Sequence, residues 1–390
     1  GTSMNRKEFI KMCGLLGIGL PLQATLSSCN DDEMETNAME KIIIIGAGAA
    51  GLSAAYLLHQ QGIDFQILEA SSSYGGRMKK IDGFADFPIS LGAEWMHSEK
   101  SILEEIVNDS SVNVDVATTP YDPSVDYALF DGERVSLEEV DITIDQKFIG
   151  SSWFDFYEQF VVPSVRSNIS FNKLINAIDY SGDQVRIKTA DEEFLAAKAI
   201  VTVPVKMLQN GAIAFTPALP NDKLDALNEV TVWDGCKAFI EFTEKFYPAF
   251  VEYKIEPESA GQKVYYDAAY GQNTNQHILG FFAVGSGAQP YLQLSQEDLI
   301  DYMLNELDVL FNGQASEKHV KHIFQNWNAE PHIQGAYIND SEDWRKVRSL
   351  GKSVDSKLFF AGTSYTTGDD WGSVHTAARS ARRAVEELVR

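Results

Sequence analysis

After Lys41 the chain reads Ile42-Ile43-Ile44-Ile45, an unbroken β-branched run with no polar side chain in it. A strand with one wet face would alternate, so this run predicts a strand buried on both faces, as in a parallel sheet. Gly46-Ala47-Gly48-Ala49-Ala50-Gly51 follows at once, then a helix through Leu52–Gln61 that Gly62 ends. Asp64–Glu69 reads as a second strand. Further on, Asn172–Pro220 predicts a strand, a turn at Ser181-Gly182-Asp183, a strand, and a buried strand ending at Pro204. Strands are expected at Val264–Gly271 and His277–Gly285, and a helix capped by Ser295 over about 296–311. Leu358–Ala361 is a last buried strand, and a helix rich in Ala and Arg begins at Gly372-Ser373-Val374-His375.

The first strand, glycine turn, helix and second strand predict an α/β fold of Rossmann type. Gly46 permits the tight turn, Gly48 lets a pyrophosphate approach the backbone, and Gly51 lets the helix pack close to the strand. Ala50 lies in the same turn, and the helix N-terminus presents N–H groups to phosphate. A carboxylate at Glu69, at the end of the second strand, suits ribose hydroxyls and repels a 2′-phosphate. NAD and FAD both remain open at this point.

Gly75-Gly76-Arg77 narrows the choice: the glycines let backbone pass close to a ligand, and the arginine can neutralise a diphosphate. This stretch resembles the GGR motif of the flavin-dependent amine oxidase superfamily, which includes monoamine and polyamine oxidases. The resemblance implies a Rossmann-type, GR2-like FAD-binding domain with an inserted α+β substrate domain. It extends over nearly the whole chain after residue 40. Ile89–His97 (ISLGAEWMH) resembles the segment that passes the flavin ring, with Gly92 and Ala93 in backbone contact. Ile175 resembles the residue that meets adenine through its backbone. Lys237 matches the lysine that hydrogen-bonds a water at flavin N5, and its apolar neighbours Cys236, Ala238 and Phe239 favour an inward direction. The Trp327-to-Tyr337 spacing matches a tryptophan followed by the tyrosine wall of an aromatic cage. Gly362, Thr363, Ser373 and Val374 close the flavin site, Val374 by its backbone at the start of the last helix. The implied catalytic residues are therefore Lys237, Tyr337 and Trp327.

Several positions depart from the family pattern. Ser71 stands where an arginine is frequent, and Thr363-Ser364 where an acid is common. Ser373 stands where many monoamine oxidases have an aromatic second cage wall, a gap that Trp371 or Tyr365 could fill. Ala336 replaces the cysteine that links FAD covalently in some relatives, so non-covalent FAD is expected.

Composition changes the picture at two points. A formal charge of -24 over 390 residues argues against nucleic acid as a partner, because phosphate would be repelled. Three cysteines (Cys13, Cys29, Cys236) carry neither metal spacing nor a disulfide framework. The start of the chain reads as an address. Gly1-Thr2-Ser3 reads as a cloning scar ahead of Met4; a basic start, a short apolar stretch from Cys13 to Leu22 and Leu26-Ser27-Ser28-Cys29 resemble a bacterial lipoprotein signal, and Asn30–Glu40 reads as an acidic tether. Residues 1–39 are thus set apart, with a membrane anchor at Cys29 and export to the cell envelope expected. The FAD domain is expected from 40–98, 165–238 and 325–390, the substrate domain from 99–164 and 239–324. The function expected is oxidation of a C–N bond by hydride transfer to flavin N5, with O2 or another electron acceptor. Two alternatives stay open: a flavin desaturase acting on C–C bonds of an apolar substrate, and a flavin-binding redox module with little turnover.

Overall fold

The computed structural model describes residues 41–133, 135–137 and 145–390. Cys29, its leader and its tether lie outside them.

Strand β1 (Ile42–Ile45) is buried at every position. Ile42 and Ile44 pack into the cluster on one face, with helix α1 (Ala49–Gln60), while Ile43 and Ile45 pack into the cluster on the other. The absence of alternation in the sequence is therefore the mark of a two-sided strand. β1 lies between β2 (Phe65–Leu68) and the Lys198–Val201 strand, with Ile169–Ser170 and Leu358–Phe360 at the edges, all parallel. The last helix, α2 (Val374–Leu388), shares α1's apolar cluster. The architecture of this part is a Rossmann-type α/β layer, a parallel sheet with helices packed on it.

The second large element is a seven-stranded sheet in the order His319–Asn326, Gly235–Phe242, His277–Gly285, Gly261–Asp267, Phe250–Tyr253, Tyr127–Phe130, Val135–Leu137. The Gln296–Phe311 helix covers one face, its Leu299, Met303 and Leu307 meeting Cys236, Ala238 and Ile240. The Ser295 hydroxyl accepts from Asp298 N–H at 3.2 Å, which fixes the start of that helix. Two strands of this sheet, Gly235–Phe242 and His319–Asn326, straddle the boundaries expected at 238/239 and 324/325. The reason is pairing: the two strands are hydrogen-bonded to each other, so both belong to the sheet over their full length. Lys237 consequently stands on this sheet.

Candidate active site

One cavity of about 1280 Å³ runs from the glycine turn after β1 to the face of the seven-stranded sheet opposite the Gln296–Phe311 helix. Of the implied catalytic and cofactor-binding residues, all but Gly51 line it. Gly51 acts from behind. A Cβ there would lie 1.9 Å from the Gly46 carbonyl oxygen, so only glycine lets α1 sit this close to the turn.

At the β1 end two loops meet. Gly75 N–H donates to Ala47 O at 2.8 Å. Gly48 and Gly76 face each other so closely that a Cβ on Gly76 would be 3.2 Å from Gly48 Cα, and Gly76 sits at φ +56°. The Glu69 carboxylate accepts from Ala47 N–H at 2.9 Å and Ser71 N–H at 2.8 Å, which holds it at the rim of the turn. Chain 172–175 is stitched beside it, Lys173 N–H donating to Glu69 O and Asn172 N–H to Ser71 O. Ile175 turns its side chain into the core, which leaves its backbone for the cavity.

Arg77 reaches across the cavity. It donates from Nη1 to the Ala336 carbonyl and from Nη2 to Thr363 Oγ1 at 3.1 Å. Burial pulls its pKa from 12.5 down to about 10. Among the described residues no carboxylate pairs with it. A guanidinium enclosed without an anion is destabilising unless a ligand supplies the charge. A dinucleotide diphosphate in the glycine turn would do so. Thr363, where an acid is usual, matters here: a hydroxyl orients Arg77 without neutralising it.

The middle of the cavity is held together by backbone hydrogen bonds. The N–H groups of Gly92 and Ala93 donate to Lys79 O at 3.3 Å and Arg77 O at 2.9 Å, so those two donors are not offered to a ring. A Cβ at Gly92 would lie 1.9 Å from Arg77 O, so the glycine serves close backbone packing. Trp327 is buried and donates from Nε1 to Leu91 O at 2.9 Å. It clamps this segment to the large sheet and also lines the cavity. Tyr337 lines the cavity edge-on to Trp233, 5.8 Å between ring centroids, and packs on Gly372. Of the two aromatics that could offset the small Ser373, Tyr365 lies in the core, donating from its hydroxyl to Val203 O. Only Trp371 lines the cavity. Ser373 N–H donates to Thr376 Oγ1 at 3.1 Å, and the helix beyond begins at Val374 as expected.

Lys237 points into the fold, 3% exposed. Its ammonium donates to Ser90 O at 2.8 Å, Gly92 O at 3.1 Å and Glu94 Oε1 at 2.8 Å. Those are all three of its donors. In this structure its three N–H groups go to protein acceptors, and Lys237 ties the 90–94 segment to the large sheet.

Apart from Trp95, sequence reasoning passed over the residues at the substrate end. Trp95, Tyr121, Phe282 and Val264 form apolar walls, Glu252 lies on the sheet, and Asp340 and Asp370 line the cavity on the Tyr337 side. Burial, reinforced by Asp370 and opposed by His97, raises the Asp340 pKa. The one available signal was alternation: Phe250 and Glu252, like Val264 and Gln262, are two apart on their strands and so share a face. Asp340 carries no such signal, being placed by a loop.

The chain matches the family model described as "Flavin containing amine oxidoreductase" over residues 49–165 and 155–389. It is 24% identical to polyamine oxidase 2 of Arabidopsis thaliana over 91% of this chain and 89% of that one. It is also 24% identical to human lysine-specific histone demethylase 2, over 83% of this chain and 50% of that protein, so it spans about half the length of that relative. Among solved structures, putrescine oxidase bound to putrescine has a TM-score of 0.73 at 13% identity, with 90% of this chain and 99% of that chain covered. Cyclohexylamine oxidase from Brevibacterium oxydans IH-35A gives 0.71 at 15% identity, with 90% and 99% covered. The cofactor is FAD. With alanine at 336 there is no thiol at that position for a covalent link, and FAD is held non-covalently. The glycine turn, the unpaired Arg77 and a family match from the first helix to the last agree: this chain belongs to the flavin containing amine oxidoreductase family.

Proposed function

We propose that the protein oxidises a carbon–nitrogen bond of a small amine, with the electrons passing to O2 or another acceptor. The observation that carries this reading is the continuity of one cavity from Arg77 and the glycine turn to an aromatic chamber over the large sheet. When bound, FAD supplies the redox chemistry, accepting hydride from the carbon next to the amine nitrogen. Arg77 and the Gly46–Gly48 turn would hold its diphosphate, Glu69 its adenosine ribose, the Ile175 backbone its adenine, and the α2 N-terminus at Val374 its ring.

The chain's residues then bind, orient and exclude water. Tyr337, Trp95, Tyr121 and Phe282 wall the chamber, and aromatic faces attract an amine in its cationic form. Asp340 and Asp370 draw an ammonium toward the Tyr337 wall, and Glu252 offers a carboxylate to a second cationic group. That arrangement, with relatives named for polyamines and putrescine, supports a diamine or polyamine over a simple monoamine. The reacting nitrogen must be neutral to release hydride from its neighbour, so its proton has to leave for solvent first. The reductive half-reaction should therefore accelerate as pH rises through the substrate's amine pKa, and a flat profile with a turned-over amine would count against this mechanism.

We also propose an exported, lipid-anchored protein with Cys29 as the acylated residue, on the order of its basic start, apolar run and Leu26–Cys29 box. Labelled palmitate should enter the membrane-bound protein in its native cells and be lost in Cys29→Ala. An unlabelled, freely soluble native protein contradicts the anchor.

A further inference from the structure

The cavity wall behind the Gly92 turn contains a charge cluster that the function above does not use. Glu94 is buried between two lysines. Its Oε1 accepts from Lys237 at 2.8 Å and from the Tyr266 hydroxyl at 2.7 Å, and its Oε2 faces Lys147 Nζ at 3.3 Å. Lys147 also donates to Ala268 O at 2.9 Å. Three elements meet here: the 89–96 segment, the Asp145–Phe148 strand and the large sheet. Trp95, Phe239 and Tyr266 surround Lys237, their centroids 5.1 to 5.7 Å from its Nζ, and Tyr121 and Tyr266 lie 5.9 and 6.0 Å from that of Lys147.

One carboxylate and two ammonium groups sum to a formal charge of +1 in a nearly dry site. A lone buried lysine would shed its proton. Burial pulls the Lys237 pKa down and Lys147 adds to this, while Glu94, hydrogen-bonded to Lys237 and lying between the two lysines, pulls it back up. Although burial opposes its charge, Lys237 and Lys147 hold the Glu94 carboxyl below its usual range. Lys237, with every donor engaged, cannot drift, so its charge stays fixed beside the turn that lines the cavity.

We propose that Glu94 is a positioning residue, which fixes Lys237 against the Gly92 turn and sets at +1 the charge that the bound FAD experiences. The inference rests on the FAD reading above. A single excess positive charge favours the reduced, more negative cofactor over the oxidised one. Other groups facing the cluster are phenols, Tyr121 and Tyr266, both pushed well above 10 by burial and by Glu94, so they stay neutral.

The test is the reduction potential of bound FAD, measured against reference dyes as a function of pH. Glu94→Gln leaves two unbalanced ammonium groups. Its potential should exceed that of the native protein at low pH and then fall through an extra pH-dependent step, as one lysine releases its proton. Glu94→Gln/Lys147→Met leaves Lys237 buried without its carboxylate, so its potential should approach the native value only at low pH and fall as that lysine releases its proton. Lys147→Met alone leaves Glu94 and Lys237 paired, with no net charge, and should lie below the native value. Coincident potentials for the native protein and folded, FAD-bound variants overturn the proposal. If both Glu94 variants fail to fold, Lys147→Met decides it: a lower potential supports it and an unchanged one refutes it. A native protein that refuses FAD refutes the underlying reading instead.

Discussion

Arg77 donates to the hydroxyl of Thr363 at 3.1 Å, a contact between residues 286 positions apart. It joins the loop after β2 to the loop before α2, and it leaves the guanidinium charged and, among the described residues, without a carboxylate partner. The charge is held for a ligand.

Arg77→Met should therefore separate stability from binding. A hydrogen bond to a charged group contributes about 1.5–3 kcal/mol, so FAD affinity should fall roughly 10- to 100-fold. The apoprotein should melt no lower than native apoprotein, because an enclosed unpaired charge has been removed. Titration of apoprotein with FAD, alongside thermal melts without it, checks both halves. Equal affinity would show that the diphosphate lies elsewhere.

Trp327→Phe tests whether the indole clamps or catalyses. Removing its N–H leaves the Leu91 carbonyl without that partner inside the fold, which costs about 1–3 kcal/mol. The melting temperature should drop while the flavin spectrum and reductive rate of the surviving protein change little. A large loss of rate at unchanged stability would restore a direct chemical role.

Cys236, the one cysteine among the described residues, is buried in the apolar cluster under the large sheet, and burial pushes its thiol up to about 12. A thiol is reactive only as thiolate. Under native conditions near neutral pH its peptide should resist alkylation by iodoacetamide, and in denaturant it should be labelled fully. Rapid native labelling would contradict the buried placement.

Lys223 gives a pH signature of the fold. It is buried against Phe360, its Nζ 3.7 Å from the ring centroid, and it donates to the Leu350 carbonyl at the end of the Trp344–Gly351 helix. Burial pulls its pKa from 10.5 down to about 7. Between about 7 and 10 the unfolded chain binds more protons at this site than the folded one, so stability rises with pH there. The lysine's unfavourable contribution is fully present below that window and gone above it. Urea unfolding of native protein and Lys223→Met at both ends of the window should show the native protein gaining on the variant as pH rises. Parallel pH dependences would refute the assignment.

The parts of the site that the sequence made legible are those fixed by backbone geometry close in the chain. Gly46, Gly48 and Gly51 follow a strand directly, and Glu69 ends the next one, so spacing alone assembles them. Lys237 was legible as inward because its strand neighbours are apolar. Its partners were not: Ser90, Gly92 and Glu94 come from a loop some 145 positions earlier, and nothing in Ile89–His97 says which of its groups a lysine will occupy. Trp327 was recognisable by spacing, yet its hydrogen bond to Leu91 depends on how the large sheet docks. The carboxylates Glu252, Asp340 and Asp370 went unseen for the same reason, since three distant segments bring them to one cavity.

The central claim is that this cavity holds FAD and passes it electrons from an amine. Anaerobic mixing of FAD-loaded protein with a panel of monoamines, diamines and polyamines, followed by visible absorbance, tests it most directly. The yellow absorbance should bleach with at least one amine, fastest with a diamine or polyamine, and return when air is admitted. Bleaching only by a porphyrinogen or polyene, or by no compound while dithionite still reduces the flavin, would contradict it.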